Sequence, residues 1–287
     1  MSRRDNLVGA AWLAGAMTLF NTGDAFMKLL SEQLPIFQAI ALRNWLTAAA
    51  LGLAWALRRD LIEAGRLLDR KVLARAVLDA GFALVYLWGV SLLPLADAVA
   101  LLFVSPLIGT LLAAAVLRER VGPARWLALA IGFVGVLLIV RPGFGDWQPA
   151  ALLPLLAAGF MAGADVVTRR IGSSVGPPTV IFTNLIVVAV LATGLALAGW
   201  TTVTPAAAVP VVGAAVFLLA GYLTSVVAFA RGEVSFVSPF KYAGLPAALL
   251  LGWLVWGHWP TPLALAGAAL IVAAGLLLLV AERRGAG

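Results

Sequence analysis

The sequence predicts an all-α, polytopic membrane protein, and three observations carry that expectation. Hydrophobic residues make up 63% of the chain against 11% charged. The apolar residues fall into runs of about 20, the length that crosses a hydrocarbon core. Short basic or Pro/Gly-rich connections separate these runs. With a mean hydropathy of +1.04, the side chains cannot all hide in one water-excluding core, so lipid must solvate many of them. The runs lack the alternation of a membrane barrel. Helices are then required, because lipid offers open backbone groups no partners.

Taken in order, the predicted spans cover 7–30, 36–57, 72–92, 94–117, 125–141, 150–170, 177–199, 207–230, 234–256 and 262–281. The first follows Arg3 and Arg4 directly, with no short apolar core and cleavage site, and reads as a retained helix rather than a signal peptide. The longest connection, Arg58 to Lys71, mixes Leu61, Ile62, Leu67 and Leu68 with charges and is expected to lie along the membrane surface.

Orientation follows from lysine and arginine, which are retained on the cytoplasmic side. One side holds Arg3, Arg4, Arg58, Arg59, Arg66, Arg70, Lys71, Arg75, Arg118, Arg120, Arg125, Arg169, Arg170, Arg231, Arg283 and Arg284, and the other only Lys28 and Arg141. Both termini are therefore expected in the cytoplasm. Trp12, Trp55 and Trp126 fall near the inner ends, whereas Trp88, Trp147, Trp200, Trp256 and Trp259 fall near the outer ends, as interfacial belts do. The net charge of +7 belongs to this topology. No single basic face gathers to bind nucleic acid.

Sliding the second half over the first aligns Asp24 and Lys28 with Asp165 and Arg169, Arg43 with Asn184, Pro106 with Pro246, Glu119 with His258 and Gly135 with Gly275, at offsets of 139 to 141 residues. Five spans per half is an odd number. The halves, 1–145 and 146–287, are thus expected to be inverted repeats, a device that lets a midplane site open first to one side and then to the other.

The segments Leu93-Pro94-Leu95-Ala96-Asp97-Ala98, Pro106-Leu107, Leu117-Arg118-Glu119-Arg120-Val121 and Gly132-Phe133-Val134-Gly135-Val136 resemble the EamA-type pattern of the drug/metabolite transporter superfamily. The second half repeats it in Ala228-Phe229-Ala230-Arg231-Gly232-Glu233-Val234-Ser235, Pro239-Phe240-Lys241-Tyr242, Gly252-Trp253-Leu254 and the closing helix with Gly267 and Gly275. The early spacing of Lys28, Pro35, Gln38 and Arg43 is similar as well. The resemblance implies a ten-helix exporter or exchanger in a bacterial-type inner membrane, with a central cavity lined by the first, third, fourth, sixth, eighth and ninth spans. Amino-acid and metabolite exporters are the nearest branch, with nucleotide-like, riboflavin-like and cationic-drug carriers beside it. His258 stands where the family has an acid, so any role of that acid survives only at Glu119.

Ionisable groups inside spans are costly and mark function by default. Asp24, Lys28, Arg43 and Asp97 are expected to form an outer polar gate, and Asp165, Arg169, Asn184 and Lys241, with Asp79, an inner one. Asn21, Tyr86, Ser105, Tyr222, Ser225 and Tyr242 are the candidate substrate contacts, since tyrosine offers a ring and a hydroxyl while the others can fix a polar head group. Pro106 and Pro246 remove backbone donors at matching places and are the candidate hinges. The absence of cysteine and the single histidine argue against thiol, disulfide and His-cluster metal chemistry. No catalytic constellation and no phosphate-binding loop is present, so neither an enzyme nor a cofactor is expected. A solute channel is the alternative from another class. Ala128 with Gly132 and Ala264 with Ala268 favour close helix packing within a monomer or between two copies.

Overall fold

The computed structural model describes residues 3–117, 123–140, 148–171 and 174–285, and every regular element among them is helical. The elements are α1 (Arg3–Ser31), α2 (Ile36–Leu57), α3 (Arg70–Leu92), α4 (Leu95–Leu102), α5 (Ser105–Leu117), α6 (Pro123–Val140), α7 (Leu152–Ile171), α8 (Pro177–Ala196), α9 (Pro205–Arg231), α10 (Val234–Val237), α11 (Gly244–Trp256) and α12 (Pro262–Gly285). Proline opens α6, α8, α9 and α12, where its missing N–H needs no intrahelical partner. Side chains complete several starts: Asp69 accepts from Lys71 N at 2.9 Å, and Thr204 accepts from Ala207 N at 3.3 Å. Gly257, at φ +67°, ends α11 in the left-handed conformation that a Cβ would oppose.

Five stretches, Ile36–Leu57, Arg70–Leu92, Pro149–Thr168, Pro177–Gly199 and Pro205–Arg231, are each long and apolar enough to cross a membrane. Leu95–Gly109, Trp126–Val140 and Pro262–Leu277 are shorter apolar helices. Large side chains such as Leu53, Leu57, Phe133 and Val209 stand on the outside of the bundle, where only lipid can solvate them.

Two expectations change. The predicted spans 94–117 and 234–256 are each discontinuous: α4 stops at Leu102 before α5 begins, and α10 passes through a 3-10 turn, Ser238–Ala243, before α11. The connection from Arg58 to Lys71 is not a surface helix but a loop with one 3-10 turn, Ala64–Arg66. Ile62 is buried in it beside Trp55 and Phe182, and Leu61 and Leu67 are half covered, because packed side chains offer these residues a better apolar surface than the lipid boundary.

The helices pair antiparallel, α1 with α9, α3 with α7, α2 with α8 and α6 with α12. The same lock recurs in two of these pairs. A Cβ at Gly221 would strike Phe20 across α1 and α9, and a Cβ at Gly81 would strike Phe160 across α3 and α7. Clasps at opposite ends tie α2 to α8. Gln38 bonds the backbone N–H and C=O of Thr201 (2.9 and 2.7 Å), while Glu63 accepts from Gly176 N (2.8 Å) and donates its own N–H to Thr179 (2.9 Å). Gly135 and Gly267 bring the backbones of α6 and α12 together, and Ala128, Ala264 and Ala268 are buried within the chain. The small residues on these two helices therefore serve an intramolecular contact.

Candidate functional site

The basic residues at the start of α1, the end of α2, the start of α3 and the end of α9 all lie at one end of the bundle, here called the basic end. Between the two ends, the discontinuous helices meet. Pro106 has no N–H, so the carbonyl four residues earlier loses its helical partner. The chain there tightens into short-range bonds, Phe103 N to Ala100 O and Val104 N to Leu101 O, both 3.2 Å. Pro106 thus sits in the first turn of α5, and Pro246 in the first turn of α11, where a missing donor is harmless. The expected bend within a continuous helix is instead a break that precedes each proline.

This break lets the two halves of each helix take different neighbours. Toward the non-basic end α4 packs on α11, whereas toward the basic end α5 leans on α7 and the 3-10 turn leans on α1. Phe103 and Tyr242 meet edge to face at the crossing, with centroids 5.0 Å apart, and Asn21 donates to the Gly244 carbonyl at 2.7 Å. The Tyr242 hydroxyl is buried, has no hydrogen-bond partner among the described residues and abuts Gly275.

Two further aromatic and polar groups lie within the bundle. In the first, Tyr86 donates to Asp24 Oδ2 at 3.1 Å and stacks on Phe82 at 5.4 Å. In the second, Asn184 Nδ2 donates to the Tyr222 hydroxyl at 3.2 Å, and Tyr222 meets Phe20 edge to face at 5.4 Å. Arg43, 5% exposed, lies within electrostatic reach of Asp24, Tyr86 and Tyr222. Its Nε and the Asn184 Oδ1 are buried with no hydrogen-bond partner among the described residues.

The expected outer gate is therefore divided. Asp24 and Lys28 share a helix face but not a partner. Lys28 reaches the end of α3 instead, donating to Val90 O (3.0 Å) and Leu93 O (2.7 Å), where unpaired carbonyls and the helix dipole favour a cation. Its ammonium also lies 5.7 Å from the Trp256 ring, whose Nε1 donates to Glu32 at 3.2 Å, so α1, α3 and α11 are tied together at the non-basic end. Asp97 stands apart, in a crevice of about 730 Å³ that also meets Gln148, His258 and Thr261.

The expected inner gate is looser. Asp165 is exposed on α7, and Lys241 is half-buried in the 3-10 turn. Asn184 belongs to the central group, and the side chain of Arg169, like Glu119 and Arg141, lies outside the described residues. An ion pair that the sequence reading passed over takes this place. Arg75 bridges Asp79 on its own helix (2.8 Å) and Thr168 on α7 (2.6 Å), and the four-residue spacing of Arg75 and Asp79 was the available signal. Ser105 is buried at the break, while Ser225 donates to the carbonyl of Tyr222 on its own helix at 2.8 Å. No group of three or more potential metal ligands occurs among the described residues.

Comparison with known proteins adds relatives to this geometry. Residues 7–141 and again 148–280 match the EamA-like transporter family. A riboflavin transporter from Rhizobium johnstonii is 32% identical over 97% of this chain and 93% of its own length. The pseudopaline exporter CntI of Pseudomonas aeruginosa is 30% identical over 90% of this chain and 91% of its own. One crystal structure shares the fold with a TM-score of 0.65 at 21% identity, over 97% of this chain and 99% of its own.

Proposed function

From membership of the EamA-like transporter family, to which this chain belongs, we propose that it is a secondary carrier moving a neutral, planar heteroaromatic solute of the flavin type by alternating access. Small-solute transport across a membrane follows from the family itself, and the chain is a multi-pass membrane protein. Similarity to the riboflavin transporter over nearly the whole of both chains supports the substrate class. It favours a flavin over the amino acid expected from the sequence.

The observation that carries the reading is the presence of two aromatic and polar groups within the bundle, Phe82 and Tyr86 with Asp24, and Phe20 and Tyr222 with Asn184, with buried Arg43 in electrostatic reach of both tyrosines. Flat rings take up a flat solute, and the few polar groups fix its orientation. Ten spans in two inverted repeats, a bacterial-type inner membrane and cytoplasmic termini complete the reading. The basic end is then cytoplasmic. The twice-matched family pattern and the twice-used glycine lock support the repeats.

Labelled riboflavin in proteoliposomes tests the proposal. The expected result is saturable uptake with counterflow, which a carrier shows and a channel does not. Movement no faster than through empty liposomes rejects the flavin reading.

A further inference from the structure

The crevice of about 730 Å³ at the non-basic end has the size of a small-molecule site, for which about 300–1,000 Å³ is usual. Asp97 of α4, Gly252 of α11, Gln148 and the loop from Gly257 to Thr261 all line it. It thus lies between the two broken spans, near the ends of α4 and α11 that point away from the crossing. Deeper along the same helices, Ala100 and Leu245 pack in one cluster with Ala268 of α12. A solute entering between α4 and α11 from this end meets the crevice before it meets that cluster.

The rim of the crevice is built before any ligand arrives. Gly257, at φ +67°, reverses the chain, and the N–H groups of Gly257 and His258 bond back to Trp253 O (2.9 Å) and Gly252 O (3.1 Å). A few residues on, Thr261 accepts from Ala264 N at 3.3 Å and caps the start of α12. His258, Trp259 and Pro260 therefore form a short bridge between two fixed helix ends, and the proline ring restricts its backbone further. Trp259 lines the crevice while 64% exposed, so its ring is accessible to a solute that enters. The His258 imidazole and the Gln148 amide can each donate and accept a hydrogen bond. Groups held in place beforehand lose little freedom on binding, which favours affinity.

We propose that this crevice is a second solute site, a vestibule at the non-basic end that takes the same planar heteroaromatic solute before α4 and α11 part. The Trp259 ring stacks on the flat solute, and His258 and Gln148 bond its polar edge. The vestibule rests on the flavin reading and deepens it, since it gives the solute a place to wait outside the central groups. His258, which stands where the family has an acid, and Trp259, which as sequence is an interfacial anchor, both gain a role in recognition.

The test is protection of a single introduced cysteine in the detergent-purified protein, whose sequence has none of its own. Riboflavin is expected to slow maleimide alkylation of Gln148→Cys several-fold, and to leave unchanged that of Thr202→Cys, which does not line the crevice. Adding Trp259→Ala to Gln148→Cys raises the riboflavin concentration for half-protection about tenfold, the loss of one stacking ring. Ala96→Cys reports from the α4 wall if Gln148→Cys does not fold, and Trp259→Leu replaces Trp259→Ala on the same ground. Alkylation of the crevice cysteine that riboflavin does not slow overturns the vestibule. So does half-protection at the same concentration with and without Trp259, which leaves the indole as an anchor alone. Either result, with riboflavin still taken up by proteoliposomes, leaves the flavin reading standing. A wild-type protein that moves no riboflavin overturns the flavin reading and the vestibule together.

Discussion

At the scale of single residues, the centre of the protein is a charge arrangement that tolerates little change. Arg43 is buried and Asp24 half-buried, and Asp24, hydrogen-bonded to Tyr86, supplies the opposite charge that acts most strongly on Arg43. Removing Arg43 leaves the Asp24 carboxylate without its main opposite charge inside the bundle. Arg43→Ala is therefore expected to lower both folded yield and transport by about tenfold or more, and Asp24→Asn combined with Arg43→Gln to recover folded yield without recovering transport. Gel filtration in detergent and uptake in proteoliposomes read the two effects separately. Gly135 is a tight position of another kind, since a Cβ there would lie 2.7 Å from the Gly267 carbonyl. Gly135→Val should separate α6 from α12 and cost about 1–3 kcal/mol, the usual penalty of overpacking, seen as a lower melting temperature in detergent. The role of Arg43 as a buried charge was legible in the sequence, because an arginine amid apolar residues demands an explanation. Its company was not. Tyr222 lies far along the chain, and no spacing rule connects them.

At the scale of elements, the broken helices and the ends they leave exposed decide what can move. Lys28 satisfies carbonyls at the end of α3 while lying beside Trp256 of α11, so one ammonium holds three elements at the non-basic end. Lys28→Gln should loosen this end and raise the population open to the outside. The chain contains no cysteine, which makes the measurement clean. Phe103→Cys at the crossing should be alkylated by a membrane-impermeant reagent from outside several-fold faster in the Lys28→Gln background than in the parent. Equal rates would show that Lys28 anchors α3 without gating. Helix existence and most boundaries were legible, and α2 agrees with its predicted range of 36–57 because charge and proline punctuate it on both sides. The breaks at 103–104 and in Ser238–Ala243 were not. An unbroken apolar run carries no mark of where helical hydrogen bonds fail, and each proline was assigned to the middle of a helix that in fact restarts just before it.

At the scale of the whole molecule, the two discontinuous helices touch only through part of their length. Ala100 of α4 and Leu245 of α11 belong to one packed cluster. A disulfide between Ala100→Cys and Leu245→Cys should hold α4 and α11 together and reduce transport by about tenfold or more, with recovery on reduction. Undiminished transport in the fully cross-linked protein would mean that α4 and α11 need not part during the cycle. The antiparallel pairs α1–α9 and α3–α7 share one glycine lock, and α2–α8 is clasped at both ends, so these pairs are the frame against which the broken helices shift.

Composition and the length of the apolar runs determined by themselves that this chain is a helical membrane protein, because lipid imposes its demands one segment at a time and each segment answers them locally. Which polar groups share a site was decided only by the tertiary structure. Lys28 went to a helix end instead of to Asp24, Asp97 to a separate crevice, and Asn184 to the hydroxyl of Tyr222. The physical reason is that a buried polar group takes whichever partner the packing of distant helices brings within about 3 Å, and sequence spacing reports neighbours on one helix but not across the bundle.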